Sequence, residues 1–390
     1  MKPMGFRALT LVPLVLGCVL LAPQIAEALP RMTLTAGSRC SNCHVNPQGG
    51  GLRNDMGFYA LAQSGMVTWD KVGWQKFHDL SDNQAMDGRL TYGFDYRGVV
   101  AKLGAPRWGS DGQVVEPSRI AIPMQFSPAL AWKITDWLSA TASMNPLWFY
   151  RSYAGQSPAD GWLQIKPAPT LPSVRVGMIQ PSFGIRHDDH TLLLRRHPKA
   201  LGQPLMPPAY ADPGAELNWE PLHWLSVDAA ALWGRNLSLA DKAIAKDQPV
   251  FSGRLTLWPQ VLDWGLNSWV GASALVADGV STFGGHAGLG KGSLGSLVGE
   301  LVFSKSRGDR QILSTLVQLS HPVKDWLVLE ARWEQSRSSE PGQSDGEATT
   351  YVAGVQWMPL PNLELRPEYR WLDTKDYLLA QYTLQFHLWL

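Results

Sequence analysis

Residues 363–371 read LELRPEYRW, and apolar side chains alternate with charged ones along this stretch. The apolar positions are Leu363, Leu365, Tyr369 and Trp371, and the charged positions are Glu364, Arg366, Glu368 and Arg370. Because successive side chains of a β-strand point to opposite faces, the stretch predicts a strand with one apolar and one charged face. Such strands are typical of barrels that face lipid outside and water inside.

The same alternation recurs along the chain, for example over residues 90–97, 327–334 and 382–390. We therefore predict an all-β transmembrane barrel of about sixteen antiparallel strands. The predicted strands lie near residues 89–103, 118–133, 138–150, 161–167, 173–180, 214–220, 224–234, 250–258, 265–277, 282–290, 294–306, 311–320, 326–335, 348–358, 363–371 and 377–390. Charged residues at alternate positions, such as Asp95, Arg97, Glu330 and Arg332, are predicted to face the lumen.

Short turns containing Pro or Asp precede Trp137, Trp224, Trp264 and Trp326, and each follows an even-numbered predicted strand. Long connections follow odd-numbered strands, namely residues 104–117, 181–213, 235–249 and 336–347. Outer-membrane barrels have short periplasmic turns and longer outer loops, with aromatic girdles at the interfaces. The pattern therefore predicts a bacterial outer-membrane protein with both termini on the periplasmic side.

The composition narrows the classes of protein. Charged residues make up 17% of the 390 residues, there are 18 tryptophans, and the net charge is +1. A near-neutral chain argues against a nucleic-acid partner, and the aromatic and apolar content argues against disorder. A soluble barrel or sandwich would show a similar alternation with its apolar face inward. The aromatic content and an export signal favour the membrane version.

The N-terminus carries that export signal. Lys2 and Arg7 precede an apolar run over residues 8–22, and Ala26-Glu27-Ala28 resembles a cleavage site. We predict a signal peptide over residues 1–28. Lipidation at Cys18 is a weaker alternative, because the apolar run continues beyond that residue. A membrane anchor is disfavoured, since a spanning helix needs about 20 apolar residues.

Cleavage would leave two cysteines in the motif Cys40-Ser41-Asn42-Cys43-His44. C-x-x-C-H is the attachment signature of haem c, with two thiols for one porphyrin and an imidazole for its iron. A redox disulfide would favour a βαβ context, and a zinc site needs further ligands nearby. We predict one covalent haem c, bound through Cys40, Cys43 and the proximal ligand His44. It would lie in a small N-terminal α-helical domain over residues 29–87.

The sixth iron ligand is left open by the sequence. Methionine and histidine are both common axial ligands, and methionine gives the higher potential. His78 is our first choice and Met56 our second, both close in sequence to the haem motif.

The longest connection carries His187, Asp188, Asp189 and His190. Histidine and carboxylate ligands suit iron and other first-row metals. If this loop folded into the lumen, these residues would contact a metal ion. The alternative is an ordinary exposed polar loop.

The order of signal peptide, single C-x-x-C-H segment and sixteen-strand barrel resembles the fused monohaem cytochrome–porin family, whose known members are outer-membrane iron oxidases. The resemblance rests on Cys40, Cys43, His44 and the barrel alternation over residues 88–390. Residues 175–184 are also similar to segments of porins related to the phosphate-selective type.

This resemblance implies oxidation of extracellular Fe(II), with electrons passed to a periplasmic c-type cytochrome. The chain would then be an iron:cytochrome c oxidoreductase, embedded in outer-membrane lipid, without catalytic side chains of its own. Electron flow to an extracellular acceptor uses the same parts. Two alternatives stay open: a porin whose haem domain gates or senses, and one subunit of a larger cytochrome conduit.

Overall fold

The fold is taken from a computed structural model of the chain. It describes residues 30–62, 64–74, 83–104, 107–108, 118–147, 157–168, 170–187, 192–206, 210–240, 244–259 and 265–390. The predicted signal peptide over residues 1–28 lies outside the described residues.

Sixteen antiparallel strands of the described chain form a closed barrel, as the alternation predicted. Each strand pairs with the next, and β1 pairs with β16, so that Asp95 lies opposite Trp389. The strands are β1 Leu90–Leu103, β2 Ser118–Lys133, β3 Leu138–Met144, β4 Ala159–Ile165, β5 Ser173–Ile179, β6 Asp212–Leu222, β7 Leu225–Trp233, β8 Pro249–Leu257, β9 Asn267–Ala277, β10 Val280–Lys291, β11 Gly295–Ser306, β12 Gln311–Lys324, β13 Leu327–Ser339, β14 Gly346–Leu360, β15 Leu363–Thr374 and β16 Tyr377–Trp389.

Helices are few and short in the described chain. They are α1 Pro30–Thr35, α2 Cys40–Cys43, α3 Asp55–Ala62 and α4 Arg235–Ala240, with 3₁₀ turns at Trp69–Val72 and Arg307–Asp309. Two-residue strands pair with the ends of the barrel at Gln84–Ala85 and Arg107–Trp108, and a small hairpin joins Arg196–His197 to Ala200–Pro204. None of the helices in these ranges is long and apolar enough to cross a bilayer.

The two faces of the strands differ as expected for a membrane barrel. On β15, Glu368 and Arg370 are buried toward the lumen, whereas Tyr369 and Trp371 are exposed on the outside. The predicted lumenal charges pair with one another, for example Arg366 with Glu330 at 2.6 Å. Exposed apolar side chains cover the exterior. Lipid could contact this surface without leaving any backbone polar group unpaired, because the closed sheet pairs them.

The two ends of the barrel differ in their connections. At one end, here the short-turn mouth, the strands are joined by residues 134–137, 166–172, 223–224, 258–266, 292–294, 325–326 and 361–362. At the other, the long-loop mouth, they are joined by residues 104–117, 145–158, 180–211, 234–248, 278–279, 307–310, 340–345 and 375–376.

The four predicted long connections all lie at the long-loop mouth, but the predicted loop 336–347 shrinks to residues 340–345. The same mouth also has two-residue turns at residues 278–279 and 375–376. The Ser-rich end of β13 resembled a loop in the sequence. In the structure Ser336 and Ser338 are buried lumenal positions of the strand.

Exposed indole rings lie near the short-turn mouth, at Trp132, Trp137, Trp219 and Trp224. Their positions agree with the predicted girdle for Trp137 and Trp224. Trp326 differs, because it is partly buried and packs against Met358 and Trp389. Trp264 lies outside the described residues.

Candidate functional site in the barrel lumen

Residues 30–62, here called the plug segment, run into the barrel at the short-turn mouth. Leu34 is fully buried and packs with Trp269. The Trp269 indole donates to Thr33 Oγ1 at 3.0 Å, and Asn267 Nδ2 donates to the Leu34 carbonyl at 2.7 Å. Gly290 leaves the room for this contact, since a Cβ there would lie 2.7 Å from the Leu34 Cβ. The segment thus enters beside strands β9–β11.

The C-x-x-C-H motif forms one tight turn, here called the CxxCH turn. The amide of His44 donates to the Cys40 carbonyl at 3.0 Å, and His44 forms a backbone bridge with Arg53. The Asn54 amide donates to the Cys43 carbonyl at 3.1 Å. Both cysteines are free thiols. The residues Arg53 and Asn54 therefore hold the C-terminal end of the CxxCH turn through backbone hydrogen bonds.

The loop beyond His44 is fixed deep in the lumen by a buried ion pair. Arg175 and Glu216, on β5 and β6, lie 2.5 Å apart and are each 1% exposed. Arg175 also donates to Asn46 Oδ1 at 2.8 Å, and Gln48 Nε2 donates to Glu216 Oε2 at 2.9 Å. A buried ion pair is stabilised only when hydrogen bonds complete it. Asn46 and Gln48 supply such bonds, which holds the plug segment in place.

Burial and nearby arginines act in opposite directions on the two thiols. Burial raises the pKa of the Cys40 thiol, and the positive charges of Arg254 and Arg186 partly offset this. Burial likewise raises the pKa of the Cys43 thiol, against the charge of Arg53. Three guanidinium groups therefore lie close enough to act on the CxxCH turn.

The third long loop, residues 180–211, folds into the lumen where it is described. Phe183 and Ile185 are buried, and His187 Nε2 lies 2.9 Å from Glu300 Oε2. Arg195 donates to the other oxygen of Glu300 at 2.7 Å. The Arg186 side chain lies against the plug segment, because a Cβ on Gly50 would be 2.6 Å from its Nε.

Several predicted site residues either lie away from the CxxCH turn or fall outside the described residues. Met56 lies at the start of α3 with 60% of its surface exposed. His78, the first choice for the sixth ligand, lies outside the described residues. Asp188, Asp189 and His190 also lie outside them, so only His187 of that group is placed. The described ranges contain no cluster of three or more His, Cys, Asp or Glu arranged to hold a metal ion.

Reasoning from the sequence missed the residues that surround the plug segment. Arg53 lies over the ring of Trp389, and Arg39 pairs with Glu220 at the short-turn mouth. Neither contact leaves a signal in local spacing, since each joins positions far apart in the chain. For Glu216, the sequence did offer one signal: a charged residue at an inward-facing position of a predicted strand.

A cavity with both polar and apolar lining residues lies between the plug segment and the wall formed by β1–β4. The plug side is lined by Gly50, Gly51, Leu52 and Arg53. About 110 Å³ of this cavity is accessible to water.

Comparison with known proteins supports the fold. No protein-family model matches the chain, and no curated protein sequence matches it significantly. An anion-selective porin from Comamonas acidovorans superposes with a TM-score of 0.54 at 10% identity, covering 77% of this chain and 99% of the porin. The outer-membrane channel DcaP of Acinetobacter baumannii gives 0.53 at 10% identity, covering 78% and 99%. OprB of Pseudomonas putida gives 0.52 at 11% identity, covering 81% and 97%.

At these identities the likeness concerns architecture alone. The chain is a porin-like barrel, and its apolar exterior supports a place in the bacterial outer membrane.

Proposed function

We propose that this chain is an outer-membrane electron-transfer protein whose plug segment carries one covalent haem c. Cys40 and Cys43 would hold the haem through thioether bonds, and His44 would ligate its iron. The observation that carries the proposal is the placement of the C-x-x-C-H motif in the lumen: His44 forms a bridge with Arg53, and the loop after it bonds Arg175 and Glu216.

The donor set fits this group. Two free thiols lie one helical turn apart on α2, and an imidazole follows directly at His44. The backbone of His44 is held by the bridge to Arg53, so its position relative to α2 is fixed. When bound, haem c supplies a one-electron redox centre whose potential depends on axial ligands and nearby charge.

The chain's own residues would bind, position and insulate this centre. Asn46 and Gln48 hold the loop against the buried pair of Arg175 and Glu216. Val45 and Leu52 pack against Ala129 and Ala131 of β2 and exclude water there. Restricted access of water and nearby cationic side chains both favour a raised reduction potential.

We further propose that the protein oxidises Fe(II) from the long-loop mouth and delivers electrons to a periplasmic c-type cytochrome at the short-turn mouth. Each Fe(II) would become Fe(III) by giving up one electron, and each cytochrome would accept one. The support is positional: the plug segment enters at the short-turn mouth, and the third long loop reaches it from the other side. The two termini of the described chain, Pro30 and Leu390, share the short-turn mouth, which we propose is periplasmic.

Covalent attachment is tested on the protein purified from outer membranes. Wild-type protein should keep a haem stain on a denaturing gel, and Cys40→Ser with Cys43→Ser should abolish it. Ser41→Ala, within the same turn, is the matched control and should keep the stain. A wild-type band without haem stain would remove the proposal.

The iron step has a separate test. Adding Fe(II) to the oxidised wild-type protein should give the reduced haem spectrum. A variant with Asp188→Asn, Asp189→Asn and His190→Gln should respond more slowly if this segment contacts the iron. A haem-containing protein whose spectrum does not change with Fe(II) would exclude iron as the donor while keeping the haem.

A further inference from the structure

Two cationic side chains face outward at the long-loop mouth of the barrel. Lys102 on β1 lies directly opposite Arg119 on β2 in the antiparallel register, and both side chains are exposed. Lys102 also lies opposite Tyr382 of β16, whose neighbour Thr383 donates to the lumenal Glu368. Because opposite residues share a face and successive residues alternate, Tyr382 and both cations lie on the outside of the barrel.

The level of this pair along the barrel follows from strand geometry. Trp132, near the short-turn mouth, lies thirteen positions beyond Arg119 on the same strand. At roughly 3.3 Å per residue and a strand tilt of roughly 40°, these two residues are about 33 Å apart along the barrel axis. The apolar band of such barrels is about 25 Å tall. Lys102 and Arg119 therefore lie at the level of lipid headgroups, at the interface opposite to Trp132.

The two positive charges of this pair have no carboxylate partner among the described residues. Like charges directly opposite each other on neighbouring strands destabilise the sheet. Two other outward cations at the same mouth are compensated, since Arg337 pairs with Glu347 at 3.0 Å and Lys305 with Asp309 at 2.9 Å. An anion is therefore the ligand that the uncompensated pair attracts.

Aromatic and apolar side chains complete the surroundings of the pair. Tyr382 is 60% exposed, and its ring centroid lies 5.0 Å from that of Tyr369. Toward the membrane centre, Val100 lies opposite Leu384 on the same outer face. Tyrosine at a membrane interface keeps its ring beside apolar chains and its hydroxyl among the headgroups. The surface thus presents hydrogen-bond donors above and apolar side chains below, which matches a lipid with an anionic headgroup.

We propose that Lys102, Arg119 and Tyr382 bind the phosphate group of a lipid in the leaflet at the long-loop mouth. The Arg119 guanidinium would donate to two phosphate oxygens, and the Lys102 ammonium would add a further charge-assisted hydrogen bond. The apolar surface at Val100 and Leu384 favours a lipid phosphate over a free one, since only the lipid brings acyl chains. The inference goes beyond the proposed electron transfer, because it concerns the outer wall and needs no haem.

The test is native mass spectrometry of the full-length purified protein in detergent, with bis-phosphorylated lipid A added. The wild-type protein should retain the lipid, and Lys102→Gln with Arg119→Gln should raise the apparent Kd several-fold. Lys102→Arg keeps the charge and should bind as the wild type does. Lys305→Gln is the matched control, because it removes an outward cation of the same mouth that already has a carboxylate partner.

Folding is checked separately by the gel shift between heated and unheated samples, so that a misfolded variant is not scored. Equal lipid binding by the double variant and by Lys305→Gln would overturn the proposal. Equal binding of a lipid A without phosphates would overturn it as well, since the acyl chains alone would then be recognised.

Displacement of the bound lipid by millimolar inorganic phosphate would identify a site for free anions and overturn the assignment to a lipid. A haem stain on the same preparations reports on the proposed function independently, since its absence leaves the lipid-binding result intact.

Discussion

The guanidinium group of Arg53 lies over the indole ring of Trp389, with its central carbon 4.6 Å from the ring centroid. This contact joins the plug segment to the last barrel strand. The Trp389 ring also contacts His387, with ring centroids 4.5 Å apart. Cation–π contacts of this kind fix a charged side chain without requiring a carboxylate. The position of Arg53 near the CxxCH turn is thus set by the C-terminal end of the barrel.

Replacing Arg53 should therefore change the proposed redox centre. Ferric haem carries one more positive charge than ferrous haem, so a nearby guanidinium disfavours the oxidised form. Arg53→Gln should lower the midpoint potential in a spectroelectrochemical titration. Arg337→Gln, which removes an exposed charge at the far end of β13, should leave the potential unchanged. Equal potentials in wild type and Arg53→Gln would show that Arg53 does not act on the haem.

The buried pair of Arg175 and Glu216 should control how firmly the plug segment is seated. Glu216→Gln leaves the Arg175 charge buried without its carboxylate, a change that costs about 3–5 kcal/mol in other proteins. We expect faster cleavage of the plug segment by added protease, with the barrel itself still folded.

Glu347→Gln is the control for that prediction. It breaks the exposed pair with Arg337, at 3.0 Å, and such pairs contribute about 0–1 kcal/mol. The rate of plug cleavage should stay that of wild type. Similar cleavage rates in Glu216→Gln and wild type would contradict a seat fixed by this ion pair.

Gly57 should be intolerant of any side chain. A Cβ on Gly57 would collide with the Cys43 carbonyl oxygen, which belongs to the backbone of α2. Gly57→Ala should push α3 away from the CxxCH turn, at a cost of about 1–3 kcal/mol for overpacking. The measurable result is a smaller fraction of purified protein with covalent haem.

Gly285→Ala provides the matched comparison, because a Cβ on that β10 residue meets no atom within 4 Å. Its haem content should match wild type. Should Gly57→Ala attach haem as fully as Gly285→Ala, the close approach of α3 to α2 would have no role in maturation.

Removing the apolar anchor at the short-turn mouth should destabilise the plug segment as well. Leu34 is fully buried beside Trp269, and Leu→Ala changes in cores cost about 2–5 kcal/mol. Leu34→Ala should lower the protection of backbone amides in residues 30–35 in hydrogen-exchange mass spectrometry. Ala36→Gly, at an exposed position just beyond α1, is the control. Unchanged protection in Leu34→Ala would mean that α1 is held by its polar contacts alone.

Local sequence accounts for the strands because their determinants are local. On β2 the predicted bounds, residues 118–133, agree with the structure, because large apolar side chains alternate with small or polar ones along that stretch. The prediction ended some strands too early, as at Ser336–Ser339, because serines that face the lumen resemble the serines of loops in a sequence. The C-x-x-C-H motif was also visible, since its spacing of three is a property of one helical turn.

The residues that surround this motif could not be predicted from the sequence. Asn46 meets Arg175 across 129 positions and Gln48 meets Glu216 across 168, and no local pattern encodes such pairings. They follow from barrel closure and from the path of the plug segment through the lumen.

The sequence by itself determined a two-residue period and hence the strands, their two faces and their antiparallel order, because side-chain alternation follows from strand geometry alone. It also determined which three residues, Cys40, Cys43 and His44, form the C-x-x-C-H motif on which the proposed haem attachment rests. Tertiary structure alone decided that this motif lies in the lumen beside Arg53, and that a cavity remains next to the plug segment. The reason is that burial of a charge or a loop depends on what the closed sheet brings together around it, which no single segment specifies.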